Sequence, residues 1–225
     1  TTPVAATWII GLNATKPPFD KIEVRQAFKA AINTNEFRNR FYPDAIPATG
    51  YVPFGLSGSG VVAKINPKVS FVPKEKITMV IPAELAHANE MKIFFEMPLK
   101  ALGWKFEVQV LPWGKLMEGY SKKYHQAFLV SMNMDYPDAE FLLRNFESSN
   151  PDNFSGIKSK KLDFLISQSR TLQDRRKREI IYRDALELLD ELSVTVNLFY
   201  PRANNWISKC VRGFEPNILS DVYID

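Results

Sequence analysis

Three carboxylates, Asp135, Asp138 and Glu140, crowd around the turn Tyr136-Pro137. Such a cluster can hold calcium, run paired acid–base chemistry on a glycoside, or cap and turn the chain. Calcium is disfavoured, because an EF-hand needs oxygen ligands at alternate positions and Pro137 and Ala139 stand there. Spacing alone does not decide between a hydrolytic pair and structural carboxylates. Asp138 suits the N-cap of a short helix running to Phe146. Asp135 has two readings. At the end of a predicted strand it can receive an ammonium group in a charge-assisted hydrogen bond, or it can start the loop as an Asx-turn.

Other chemistries find less support. His87 and His125 are far apart and lack HxxxH or HExxH partners, and the single cysteine, Cys210, excludes an intrachain disulfide and a multi-thiolate site. No metal and no cofactor is expected. Residues 58–63 spell GxGxxA, yet Pro53 interrupts the run before the glycines and Pro67 forbids a continuing helix, so a loop is expected rather than a dinucleotide turn. There is no P-loop, no GxSxG elbow and no Cys-His pair at recognisable spacing, and no enzymatic activity is expected.

Lys and Arg number 29 against 25 Asp and Glu, a formal charge of +4, and the charges are scattered. The one dense run, residues 175–178, falls in a predicted helix and reads as a solvated face, so no nucleic-acid partner is expected. With 45% hydrophobic and 24% charged residues among 225, the composition is that of an ordinary globular protein. Its apolar runs are strand-length, far below the roughly 18 residues that span a bilayer. The opening Thr1-Thr2-Pro3 has no basic region leading into an apolar one, so no signal segment is read and a processed or excised fragment is expected.

The elements that must position the carboxylates follow from periodicity. Residues 7–12 form a β-rich run that Pro17-Pro18 stops, and Val24, Ala27, Phe28, Ala31 and Ile32 then recur at helical spacing. A second helix is expected over 35–41. Residues 42–76 are rich in Pro, Gly and Ser, with weak β signal at 50–54 and 69–72. Next comes strand 77–81, helix 84–102, strand 105–111, helix 114–122 and strand 126–132. This is β-α-β-α-β, which implies parallel strands joined by right-handed crossovers. Gly103 is placed to end the first helix, and Pro98 predicts a kink or early break in it. Ligands of open α/β sheets sit beyond the carboxyl ends of such strands, which directs attention to the residues after Met132. Helices over 159–169 and 174–192 follow, the latter opened by Thr171-x-x-Asp174 as a capping box, then strand 195–200. The tail, 204–225, reads as short β pieces that pack on something else.

The order of these segments resembles the C-terminal half of the family 5 extracellular solute-binding proteins, the dipeptide and oligopeptide receptors of ABC importers. Residues 7–13, then Lys16-Pro17-Pro18-Phe19-Asp20 and Val24-Arg25-Gln26-Ala27-Phe28, resemble the family's strand, "PPF" turn and "VRQAF" helix. Asp135-Tyr136-Pro137-Asp138 with Phe141-Leu142 resembles its "ADYPDP…NFL" loop, and Asn153-Phe154-Ser155-Gly156 its "N-Y-S-G-Y" segment. Ser131-Met132-Asn133 stands where the family carries "GW" before the Asp, so an aromatic is replaced.

The resemblance implies a ligand site in which Asp135 takes an α-ammonium group, with Met132, Asn133, Tyr136 and Asn153 around it. It implies an α/β lobe of periplasmic-binding-protein type II, with a mixed, mainly parallel sheet flanked by helices. Residues 16–193 are expected to form this lobe, with 1–15 and 194–225 as segments leading to and from another. Trp8, Ile10, Phe199, Trp206 and Val211 on those segments are expected to be partly exposed. The implied function is capture of a peptide or related small solute for a membrane permease, by a monomeric periplasmic or extracellular receptor, possible membrane anchor included. A family receptor for a non-peptide solute is the alternative, ahead of a carboxylate-based hydrolase.

Overall fold

A computed structural model describes residues 2–61 and 71–204, with scattered positions from 208 to 223. Pro67, Trp206 and Val211 lie outside the described residues. The elements in chain order are β1 (Thr2–Pro3), β2 (Ala6–Leu12), α1 (Ile22–Ala31), α2 (Thr34–Phe41), β3 (Ile46–Pro47), β4 (Ile77–Pro82), α3 (Ala88–Ala101), β5 (Phe106–Leu111), α4 (Trp113–Ser121), β6 (Ala127–Asn133), α5 (Ala139–Leu143), α6 (Lys160–Thr171), α7 (Arg175–Leu192), β7 (Thr195–Tyr200), β8 (Arg202–Ala203), β9 (Glu215–Pro216) and β10 (Val222–Tyr223). A 3-10 turn, Arg144–Phe146, extends α5.

The sheet runs β3-β7-β2-β6-β4-β5. As the crossover pattern requires, β4 lies parallel to both β5 and β6. The sheet is mixed, and its balance differs from the mainly parallel one expected. β2 is antiparallel to β6 and β7, and β3 is antiparallel to β7. The reason is that the two segments flanking the α/β unit in sequence do not merely cross away from it; β2 sits between β6 and β7 at the centre of the sheet. Ile10 and Phe199 are accordingly fully buried, against the expectation of exposure, and Trp8 is half-buried.

Alternation along the strands builds two cores. Ile10, Leu12, Met79, Ile81, Ala127 and Leu129 face α1, α2 and α3, while Ile9, Val80, Phe128 and Val130 face α4 to α7. Both faces are covered by helices, the three-layer arrangement of an α/β unit. Gly11 shows how close the second layer comes. A Cβ at that position would stand 2.6 Å from Phe128 Cζ and 3.0 Å from Phe154 Cε2. Gly11→Ala is therefore expected to destabilise the fold by about 1–3 kcal/mol through overpacking, read as a lowered urea midpoint at constant slope.

Local signals decide the helix ends. Gly103 takes φ +87°, its N–H reaches Lys100 O at 2.9 Å and that of Trp104 reaches Leu99 O at 3.0 Å, a Schellman stop. The break expected at Pro98 does not occur, and α3 continues to Ala101. Proline deprives only the Phe94 carbonyl of its donor, one turn from an end that frays in any case. α3 also starts later than expected, because Glu84 is engaged elsewhere, accepting the Trp113 N–H at the start of α4. The cap of α7 is Asp174 itself, which accepts the N–H groups of Arg176 and Lys177. Thr171 instead closes α6, donating to Gln168 O.

Candidate ligand-binding site

The register of β2 on β6 pairs Ala6 with Asn133 and Leu12 with Ala127. Met134 N–H donates to Ala5 O and Asn13 N–H to Gln126 O, so it is the even residues of β6 that bond to β2. The odd residues turn their backbone groups to the other side, toward β4. That ladder is short: Met79 pairs with Ala127 and Val80 with Phe128, and then β4 ends at Pro82, which has no N–H to donate. Beyond Leu129 the edge of β6 is therefore open. The backbone groups of Ser131 and Asn133 point there, with no backbone partner among the described residues.

Asp135 lies just past this open edge, exposed in a bend, and its carboxylate makes no hydrogen bond or ion pair among the described residues. No Asx-turn forms at it. Its neighbours in the cluster are engaged: Asp138 caps α5 by accepting Glu140 N–H at 3.0 Å and also accepts from Arg178 and Tyr182. Glu140 accepts from Tyr136 OH and from Arg170, and Arg170 also holds Glu147 through both guanidinium nitrogens at 2.8 Å. Those bonds, foremost the one to Glu147, push the Arg170 pKa up. Burial, then the bond to Glu140, raises the Tyr136 hydroxyl. Asp138 and Glu140 thus anchor the loop and leave Asp135 as its free anion.

The other expected site residues divide. Asn133 is exposed and accepts from Ser131 Oγ at 2.8 Å, leaving its Nδ2 without a partner among the described residues. Tyr136 is partly exposed beside Asp135, packed edge-on against Phe141. Met132 points the other way, into the core with Val130 and Met134. Asn153 is engaged within its own loop. Its amide donates to the carbonyls of Phe146, Glu147 and Ile157, and its oxygen accepts from Ser155 Oγ and Gly156 N–H. Its loop joins Ala14 at the opposite end of β6, through Ala14 N–H to Ser155 O. Every polar atom of Asn153 is occupied in latching a loop, remote from Asp135.

Trp8 was legible only as an apolar strand residue, yet it belongs here. It pairs with Ser131 across the sheet, a neighbour no spacing in the sequence discloses. The glycine-rich loop 55–60 lies elsewhere, and with α7 it lines a concavity of about 1060 Å³ that includes none of these residues. Glu179 accepts Ser57 Oγ and Gly58 N–H there, so the loop is a turn held from α7. Size does not outweigh the open edge and free carboxylate of β6.

The fold is one that periplasmic binding proteins share. The family model described as bacterial extracellular solute-binding proteins, family 5 Middle, matches residues 1–154, and the chain belongs to that family. The family is one of binding proteins, not enzymes. The dipeptide-binding protein of Pseudomonas aeruginosa is 24% identical over 92% of this chain and 42% of its own length. Among solved structures, the periplasmic binding protein DppA of Helicobacter pylori in complex with the peptide STSA superposes with TM-score 0.80 at 19% identity, over 98% of this chain and 47% of that one. The OppA of Haemophilus influenzae in complex with RPPGFSPFR gives 0.76 at 17%, over 89% and 43%. The chain thus spans less than half the length of the relatives it matches. Among the described residues no helix is long and apolar enough to cross a membrane.

Proposed function

We propose that this chain is one lobe of a two-lobed receptor that captures a peptide, or a related small solute with a free ammonium group, for an ABC permease. The observation that carries the reading is the open edge of β6 ending at the unpaired carboxylate of Asp135. An extended peptide can add to such an edge through backbone hydrogen bonds, and its amino terminus can meet the carboxylate. The second lobe is supported by the chain path. β1 and β8 pair Thr2 with Ala203 and Pro3 with Arg202, a ribbon that leaves the sheet at the same end as Asn133 and Asp135. In this reading segments 1–15 and 194–225 lead to the other lobe, although β2 and β7 within them belong to this one. A receptor of this kind works outside the cytoplasm, as a monomer, with or without a membrane anchor. The names of the relatives, which bind dipeptides and longer peptides, favour peptide over other solutes.

Calorimetry on the complete receptor tests it, with a short peptide and its N-acetylated form. Asp135→Ala is expected to weaken the free amine about 10- to 150-fold, the worth of one charge-assisted hydrogen bond of roughly 1.5–3 kcal/mol, and to leave the acetylated form nearly unchanged. Equal losses for both would reduce Asp135 to a structural turn residue.

A further inference from the structure

We propose that Trp8, opposite Ser131, selects ligands with a planar ring in the first few residues of the peptide, an inference that rests on the peptide reading above. Even-numbered residues of β2 and odd-numbered residues of β6 share one face of the sheet, as Ile10, Leu12, Ala127 and Leu129 show by packing in one core. Trp8 and Ser131 are therefore direct cross-strand neighbours on that face, at a pair the ladder bonds leave out, where side chains stand closest.

On its β7 side the indole is stacked on Phe199, with centroids 5.8 Å apart and planes 16° apart, and on Tyr42 at 6.0 Å and 28°. Tyr42 and Phe199 stack on each other at 4.3 Å. On its β6 side the cross-strand partner is Ser131, whose hydroxyl donates along the strand to Asn133 Oδ1. The row of rings thus stops at Trp8, above a small residue and beside the open edge of β6. Trp8 is partly buried, and its indole N–H has no partner among the described residues. A peptide laid along Ser131 and Asn133 brings a side chain into that slot, where a ring continues the stack. Packing behind the indole by Phe199 and Tyr42 fixes its orientation, so little freedom is lost on binding.

Titration of the complete receptor with Ala-Ala-Ala and with its three single-phenylalanine variants tests the assignment. At least one phenylalanine peptide is expected to bind about 3- to 10-fold tighter than Ala-Ala-Ala, the range of an aromatic pair. Trp8→Leu, which keeps an apolar residue in β2, is expected to abolish that preference, so that the phenylalanine peptides bind no tighter than Ala-Ala-Ala does to the same variant. Ser131→Trp, which fills the slot from the protein side, is expected to abolish it with the indole still present. Equal affinity for all four peptides in the unmodified receptor, or a preference that survives both substitutions, overturns the role of Trp8 alone, provided Ala-Ala-Ala still binds through Asp135. Failure of every peptide to bind overturns the peptide reading, and the selector with it.

Discussion

Asp138→Ala is expected to lower the stability of this chain by about 2–4 kcal/mol and to weaken ligand binding, although Asp138 touches no ligand in the proposed site. Its carboxylate does three things at once. It caps α5 by accepting Glu140 N–H at 3.0 Å, it receives the Tyr182 hydroxyl, and it pairs with Arg178. Loss of a cap costs about 0.5–2 kcal/mol, and stranding the partners of a partly buried ion pair adds to it. Tyr182 is fully buried, and burial raises its pKa, so its hydroxyl has little water to turn to. Arg178 is more exposed and recovers part of its loss in solvent. Asp138→Asn keeps an acceptor for the N–H and the hydroxyl and is expected to restore about half the loss. The functional effect comes through position. Residues 134–138 are held at one end by Met134 N–H on Ala5 O and at the other by Asp138, and releasing the second end loosens the aim of Asp135. Affinity is expected to fall for both a free and an N-acetylated peptide, whereas Asp135→Ala discriminates between them. Urea unfolding and calorimetry on the same variants separate the two roles, and unchanged stability in Asp138→Ala would show that the helix-to-loop anchor is not what holds the bend.

The β-α-β-α-β unit was legible because each of its elements carries a complete local signal: strand-length apolar runs, apolar residues at helical spacing, and Gly103 where a left-handed residue must end α3. Pairing between distant segments was not. Residues 7–12 read as a strand, but nothing local says that the strand lies between β6 and β7, antiparallel to both. That placement made the sheet more antiparallel than expected, buried Ile10 and Phe199, and put Trp8 beside Ser131. Asp135 was legible from its position after a strand and from the resemblance of its loop. Which of the three carboxylates would stay free was not, since it depends on Arg170 and Arg178 arriving from α6 and α7. Asn153 illustrates what local sequence leaves out. An asparagine in a recognisable segment suggested a ligand contact, but its amide meets three carbonyls that only the folded loop assembles. Similarity of a motif carries the fold of a segment more securely than the role of a side chain within it.

Arg25→Ala is expected to cost about 3–5 kcal/mol, which places Arg25, with its acceptors at Phe19 and Asp20, in the architecture rather than in the ligand site. Arg25 is only 3% exposed, and its guanidinium donates to Phe19 O at 2.6 Å, Asp20 O at 3.3 Å and Leu192 O at 2.9 Å. It therefore ties the turn before α1 to the carboxyl end of α7, 167 residues along the chain. Helix ends present carbonyls with no partner in the helix and a partial negative charge, and a buried cation there answers both. Burial lowers the Arg25 pKa, opposed by the nearby carboxylates of Glu23 and Asp20. An arginine starts so far above neutrality that it keeps its proton at pH 7. Alanine leaves the carbonyls of Phe19 and Leu192 without this donor in a space water cannot fill freely, and each charged hydrogen bond of this kind is worth roughly 1.5–3 kcal/mol. Lysine restores the charge but not the fork, and Arg25→Lys is expected to recover no more than about half. One turn further along α1, Lys29 pairs with Asp190, so the two helices stay joined in either variant and the loss reads as destabilisation rather than unfolding. Equilibrium urea unfolding at pH 7 measures it. A loss below about 1 kcal/mol for Arg25→Ala would mean that the neighbouring Lys29 contact holds α1 to α7 alone, and that the arginine is dispensable to the lobe.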